Sequence, residues 1–115
     1  MKKKLCFDLD NVICSTNKND YISSKPKKKV INYINKLYLK DYKILVFTAR
    51  FMGRSNDNRI KATKMGKELT IKQLKKWNLK YHKLIFGKPS YDVIVDDKSF
   101  GFKKNWLKKF SKIYN

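Results

Sequence analysis

The sequence is poor in cysteine, and this scarcity excludes several classes of protein. Cys6 and Cys14 are the only two cysteines in 115 residues. They form neither a disulfide framework nor a zinc pattern, so a reducing compartment is expected. The residues six positions after them are Val12 and Asp20. The absence of arginine at both positions excludes a Cys-x₅-Arg phosphatase loop.

Long apolar runs, repeats and low-complexity linkers are also absent. No run approaches the about 20 apolar residues that a membrane span needs, and the two aspartates at 8 and 10 interrupt the first apolar stretch early. We therefore expect a cytoplasmic protein without membrane association. Its length and its 42% hydrophobic content predict one globular domain over residues 1–115.

Acidic residues are scarce, with 9 against 29 basic ones, and the formal net charge is +20. Such a charge either attracts nucleic acid and other polyanions or forms a solvated lysine-rich surface. The lysines are scattered along the chain and do not alternate with aromatic residues in one stripe. A solvated surface is favoured, anionic ligands are expected, and nucleic acid remains a possible partner. The oligomeric state stays open.

Four short apolar runs predict the strands of a sheet. They cover residues 4–9, 43–48, 83–86 and 91–95. The runs lack regular polar alternation, which is typical of strands covered on both faces.

Apolar residues at helical spacing predict three helices between and after these strands. The first covers 26–40, and a capping box beginning at Thr70 starts the second, over 70–78. The polar stretch 50–66 is predicted to be a loop, and the last helix falls within 102–113. The order β-α-β-α-β-β-α predicts an α/β fold with a mostly parallel sheet and helices on both faces.

Polar side chains follow each of the four predicted strands. Ligands of open α/β sheets bind beyond the carboxyl ends of the strands, so these side chains are expected to meet at one edge. Alternation along the first strand would point both of its aspartates the same way. The groups are Asp8 and Asp10 after the first strand, Thr48, Ala49 and Arg50 after the second, Lys88 after the third, and Asp96 and Asp97 after the fourth.

Together these residues resemble the haloacid dehalogenase (HAD) superfamily of phosphohydrolases. Phosphorelay receiver domains also use Asp-Asp, Thr and Lys, but in a different order. The short motifs Thr-Ala-Arg, Gly-Lys-Pro and Val-Asp-Asp look most like those of small phosphatases from bacterial capsule and surface-polysaccharide loci. The matching motifs are Phe7-Asp-Leu-Asp-Asn-Val-Ile13, Val46-Phe-Thr-Ala-Arg50, Gly87-Lys-Pro89 and Val93-Ile-Val-Asp-Asp97.

The resemblance implies a three-layer Rossmann-like core without a cap domain and a phosphomonoester hydrolase activity that uses Mg²⁺. Asp8 would attack phosphorus and form an aspartyl-phosphate. Asp10 would protonate the leaving oxygen and then activate water. Thr48 would hold a phosphoryl oxygen, and Lys88 would neutralise the phosphate and the aspartates.

The resemblance also implies metal and substrate contacts. Mg²⁺ would be held by the Asp8 carboxylate, the Asp10 carbonyl and the 96–97 pair, with Asp97 as the expected direct ligand and Asp96 as its support. The expected substrate is a small phosphorylated sugar or polyol. A phosphatase of polynucleotide ends and a non-catalytic nucleic-acid-binding module are the alternatives. Further candidate substrate contacts are Ala49, Arg50 and Asn11.

Overall fold

The structure, a computed structural model, describes residues 2–115. Strands and helices alternate along this part of the chain. In order they are β1 (Lys4–Asp8), β2 (Cys14–Ser15), β3 (Lys25–Pro26), α1 (Lys28–Leu39), β4 (Lys43–Thr48), α2 (Arg59–Lys76), β5 (Lys83–Phe86) and α3 (Trp106–Ile113).

The main sheet has three parallel strands in the order β1-β4-β5. Asp8 is in register with Phe47, and Thr48 with Phe86. Parallel neighbours need long crossover connections, which α1 and α2 provide here. β2 and β3 form a small separate antiparallel pair. The predicted α/β fold with a parallel sheet is confirmed at this level.

All three helices pack on the same face of this sheet, so the prediction of helices on both faces is wrong. The strand residues of the main apolar cluster, among them Leu5, Phe7 and Val46, share one face. Helix residues of the same cluster come from α1, α2 and α3. On the opposite face Cys6 is exposed. Both crossovers run in the same direction along the sheet, and right-handed connections then place α1 and α2 on one side.

The predicted fourth strand over residues 91–95 is also wrong. This segment has no regular secondary structure, and Val93 and Val95 are 79% and 96% exposed. An apolar run indicates that a strand is favourable, but a strand also needs a hydrogen-bonding neighbour. Along the described chain, β1 pairs only with β4, and no strand lies at its other edge.

Helix α2 begins earlier than the sequence predicted. Residues from Arg59 onward are helical, although 50–66 was predicted to be a loop. The side chain of Asn58 caps the helix by accepting a hydrogen bond from Lys61 N at 3.0 Å. Thr70, the predicted cap, is buried in the middle of the helix.

The other two helices follow the predictions more closely. Helix α1 lies within the predicted 26–40, and α3 within 102–113. His82 stacks on Tyr38 at 4.5 Å and its Nδ1 accepts a hydrogen bond from Ile44 N. Between residues 2 and 115, none of the helices combines the length and apolarity that crossing a membrane requires.

Candidate active site

Asp8 and Lys88 form an ion pair at the carboxyl edge of the sheet. Lys88 Nζ lies 3.2 Å from Asp8 Oδ2, and the two side chains are 16% and 35% exposed. Asp8 ends β1, and Lys88 follows β5 after Gly87, whose φ of 100° provides the turn. Lys88 N donates to Thr48 O at 3.2 Å, which ties this turn to the end of β4.

The electrostatics of the pair come from partial burial and mutual charge. Burial raises the pKa of Asp8, whereas Lys88 and the hydrogen bond from Leu9 N oppose that rise. Burial also lowers the pKa of Lys88, but interactions with Tyr91 and with Asp8 outweigh it, so the net direction is upward. At this edge of the sheet the Lys88 ammonium therefore lies beside the Asp8 carboxylate, and partial burial destabilises the charged form of that carboxylate.

Asp10 has a different partner, the guanidinium of Arg50. Arg50 Nε lies 3.0 Å from Asp10 Oδ2, and Arg50 Nη2 lies 3.0 Å from Oδ1. The hydroxyl of Thr16 also donates to Asp10 Oδ1. The two aspartates, which strand alternation predicted to point the same way, thus contact separate groups, because β1 ends at Asp8 and the chain turns before Asp10.

Arg50 is buried and does not occupy the position that a substrate contact requires. It is 1% exposed, although the sequence predicted a side chain that grips a substrate anion. Besides Asp10 it contacts Ser24 at 3.3 Å, Thr70 at 3.2 Å and Gln73. A guanidinium loses its hydration when it is buried, and these acceptors replace the lost water.

Four further residues belong to this network although the sequence did not indicate them as site residues: Thr16, Ser24, Thr70 and Gln73. A signal for the last two exists, since the buried positions of α2 include Gly66, Thr70 and Gln73. Their spacing of four and three residues places them on one face of the helix. Polar residues on the buried face of a helix indicate a polar partner in the core, and here that partner is Arg50.

The remaining residues expected beside phosphate are placed in different ways. The Thr48 hydroxyl is 0% exposed and accepts a hydrogen bond from Arg50 N at 3.0 Å. Ala49 packs against a small apolar cluster of Phe51 and its neighbours. Asn11 is exposed, and its side chain accepts from Thr16 N. In this arrangement Thr48 braces the turn after β4 and does not face solvent.

The structure does not bring Asp96 and Asp97 to Asp8. Both are exposed in the irregular segment after β5. Asp96 accepts a local hydrogen bond from Lys98 N at 3.0 Å, which lowers its pKa. Within residues 2–115 there is no cluster of three or more histidine, cysteine, aspartate or glutamate residues able to hold a metal ion. The four predicted ligands of Mg²⁺ are therefore not assembled.

A groove lies beside the Arg50 network. Its volume is about 690 Å³. The Tyr21 ring, which forms part of the wall, lies 5.0 Å from the Arg50 guanidinium and 5.6 Å from that of Arg54. The lining combines polar residues with apolar ones, and includes Asn17, Asn19, Asp20, Tyr21 and Arg54 beside Ile22, Phe51, Met65 and Leu69.

Comparison with known proteins identifies a shared fold. No family model matches the chain, and no curated protein matches it. The crystal structure of an MCSG target from Vibrio cholerae superposes with a TM-score of 0.79 at 24% sequence identity, over 97% of this chain and 99% of that one. Since identity is this low, the likeness shows the fold alone.

Proposed function

We propose that this protein is a phosphomonoester hydrolase of the haloacid dehalogenase type that forms an aspartyl-phosphate on Asp8. The observation that supports the proposal is the pairing of a partly exposed Asp8 carboxylate with the Lys88 ammonium, 3.2 Å away, at the carboxyl edge of a parallel sheet. Such edges are where α/β proteins bind ligands. A carboxylate attacks an anionic phosphate only when a nearby positive charge reduces their repulsion.

The proposed reaction has two steps. In the first, an Asp8 oxygen forms a bond to phosphorus while the ester P–O bond breaks and the leaving alcohol oxygen takes a proton from the Asp10 carboxyl group. In the second, the oxygen of water forms a bond to phosphorus, its proton passes to Asp10, the Asp8–phosphorus bond breaks, and inorganic phosphate is released. Lys88 and Leu9 N contact the two oxygens of Asp8 and orient the attacking group.

The proposal includes Mg²⁺ because the resemblance to the haloacid dehalogenase superfamily implies this metal. The Asp8 carboxylate and the Asp10 carbonyl are oxygen groups of the kind that Mg²⁺ prefers. Asp96 and Asp97 lie in the exposed segment instead, and the Asp10 carboxylate faces Arg50. As arranged, these residues do not form a complete ligand set, and we assign no step of the reaction to the metal.

The proposed substrate is a small phosphorylated sugar or polyol, and the groove beside the Arg50 network, which includes neither Asp8 nor Lys88 in its lining, is the proposed place for its hydroxyl groups. Side chains of the 17–22 loop and Arg54 offer hydrogen-bonding groups to a ligand with many hydroxyls. The volume of about 690 Å³ falls within the range of about 300–1,000 Å³ that is usual for small-molecule sites.

The test is a panel of phosphate esters, including sugar phosphates, polyol phosphates and p-nitrophenyl phosphate, assayed with Mg²⁺ for release of inorganic phosphate. We expect turnover by the wild type that disappears in Asp8→Asn. Wild-type protein that hydrolyses none of these esters, or an Asp8→Asn variant with full activity, contradicts the proposal.

Phosphorylated nucleic-acid ends are a second candidate substrate, favoured by the exposed lysines of α2 and by the +20 net charge. Lysines along one helix attract phosphates and make binding dependent on salt. A 3′-phosphorylated oligonucleotide added to the panel distinguishes the two classes. Hydrolysis of the oligonucleotide with a steep loss of affinity as salt increases supports this candidate. Activity on sugar phosphates without oligonucleotide binding removes it. The exposed lysines of α2 referred to above are Lys61, Lys64, Lys67, Lys72, Lys75 and Lys76.

A further inference from the structure

We propose that Arg50 is a positioning residue that acts through Asp10 and makes Asp10 the base in the hydrolysis of the aspartyl-phosphate. This inference rests on the proposed function. It assigns to Arg50 a role that differs from substrate binding, and it follows from where the side chain lies.

The contact between the two side chains restricts the direction of the Asp10 carboxylate. Arg50 Nε lies 3.2 Å and 3.0 Å from the two Asp10 oxygens, and Nη2 lies 3.0 Å from Oδ1. A planar guanidinium that contacts both oxygens of a carboxylate fixes the plane of the carboxylate as well as its distance. A single ammonium would fix only a distance.

Helix α2 in turn holds the guanidinium. Arg50 Nη1 donates to the Thr70 hydroxyl at 3.2 Å and to Gln73 Oε1. Gln73 Nε2 also donates to Tyr21 O, so the same side chain connects α2 to the loop beside the groove. Arg50 is 1% exposed and has no solvent-facing position in this structure. The orientation of Asp10 therefore depends on residues from three separate parts of the chain.

The proposed consequence concerns the second step of the reaction. The oxygen of water forms a bond to phosphorus, the Asp8–phosphorus bond breaks, and the proton of water passes to an Asp10 oxygen. Because the guanidinium contacts both oxygens, it fixes the direction in which Asp10 presents them to the water. Loss of the guanidinium leaves Asp10 present but wrongly directed. For an ester whose leaving group needs no proton, the second step then slows while the first persists.

The experiment uses p-nitrophenyl phosphate, because nitrophenolate leaves as an anion and its departure needs no proton from Asp10. Wild type, Arg50→Lys and the control Lys36→Arg, an exposed residue in the last turn of α1, are mixed rapidly with this ester and Mg²⁺. For Arg50→Lys we expect a burst that approaches one nitrophenolate per chain. A steady-state rate lower by about 10²–10⁴-fold, the usual contribution of acid–base catalysis, should follow. Wild type and Lys36→Arg should show no such separation.

Two other results overturn the inference. If burst amplitude and steady-state rate fall together, Arg50 only supports folding, and if neither changes, Asp10 does not need it. Thr70→Val, which removes one anchor and leaves Arg50 in place, covers the case in which Arg50→Lys does not fold by circular dichroism. Thr70→Val should show the same separation of burst amplitude from steady-state rate to a smaller degree. If Thr70→Val shows no such separation, the inference is also overturned. A wild type that releases no nitrophenolate instead contradicts the proposed function itself.

Discussion

Lys88 Nζ lies 3.2 Å from Asp8 Oδ2, although Asp8 ends the first strand of the sheet and Lys88 follows the last one. The parallel arrangement of β1, β4 and β5 brings all their carboxyl ends to one edge and makes this contact possible. Burial raises the pKa of Asp8, and the charge of Lys88 opposes it. The ion pair thus links the fold to the proposed chemistry.

Replacing Asp8 by asparagine should separate activity from folding. The asparagine amide cannot form an aspartyl-phosphate, and we expect phosphatase activity to fall by about 10³-fold or more, as it does when other enzymes lose their nucleophile. Because burial raises the pKa of Asp8 in the folded state, the folded protein binds its proton more tightly than the unfolded chain. The charged carboxylate therefore disfavours folding above that pKa, whereas its contact with Lys88 stabilises the lysine ammonium and helps to raise the pKa of Lys88. The two effects oppose each other, and at pH 7 Asp8→Asn should melt close to the wild-type temperature.

Asp57→Asn is the matched control for this substitution. Asp57 is exposed, with a φ of 58° that asparagine tolerates well. Its activity and melting temperature should equal those of the wild type. A melting temperature of Asp8→Asn well below both would mean that Asp8 stabilises the fold.

Replacing Lys88 by methionine should shift the pH dependence of activity. Lys88 lowers the pKa of Asp8 against the effect of burial, so its removal raises that pKa further. Asp8 attacks as the carboxylate, and the acidic limb of the kcat/KM profile should therefore move to higher pH. Profiles of Lys88→Met and of the exposed control Lys104→Met test this. An unchanged acidic limb in Lys88→Met would show that the ion pair does not control Asp8.

Turnover should depend on Mg²⁺, as the resemblance to the haloacid dehalogenase superfamily implies. We expect activity to be lost in EDTA and restored by Mg²⁺. Because Asp97 lies in the exposed segment and does not meet Asp8 in the structure, Asp97→Asn should leave the Mg²⁺ concentration for half-maximal activity unchanged. A rise of about tenfold or more would place Asp97 at the metal site or among the groups that support it. Asp92→Asn, in the same exposed segment, is the control. If both variants require the same Mg²⁺ concentration, Asp97 does not bind the metal.

Replacing Gly66 by alanine should destabilise the protein. A Cβ at this position in α2 would lie 2.5 Å from Cδ2 of the Phe51 ring and 3.2 Å from Cε2 of Phe86. Overpacking of this kind costs about 1–3 kcal/mol, which exceeds the about 1 kcal/mol that alanine contributes to a helix over glycine. Urea unfolding should show a lower midpoint for Gly66→Ala. Gly53→Ala, where no atom lies within 4 Å of the added carbon, should not show it.

The strands and helices that the sequence predicted well are those with strong local signals. Residues 43–48 form β4 as predicted, and α1 follows its apolar stripe. The first half of α2 gave no such signal because its buried positions are Ala62 and Gly66, small residues beneath the Phe51 ring. The segment 91–95 shows the opposite error, because its apolar sequence predicted a strand that the structure does not contain. No neighbouring strand pairs with this segment in the described chain.

For the site, sequence order predicted the polar groups that follow β1, β4 and β5 but not how these groups pair. Asp8 and Lys88 meet as the parallel topology predicts, whereas the partner of Asp10 depends on how deeply Arg50 is buried. Burial of a charged side chain depends on distant acceptors such as Gln73, which no local pattern reveals. Tertiary contacts therefore decide which charges face solvent.

The buried guanidinium of Arg50 also constrains how this chain can vary among homologues. Loss of Asp10 alone would leave an unpaired charge in the core, and loss of Arg50 alone would leave Thr70 and Gln73 without a donor. Each single substitution is therefore harmful, whereas joint replacement by apolar residues is tolerable for stability. Positions 10, 50, 70 and 73 should accordingly be inherited as one unit, and a homologue that has lost the acidic residue at 10 should have changed the other three as well.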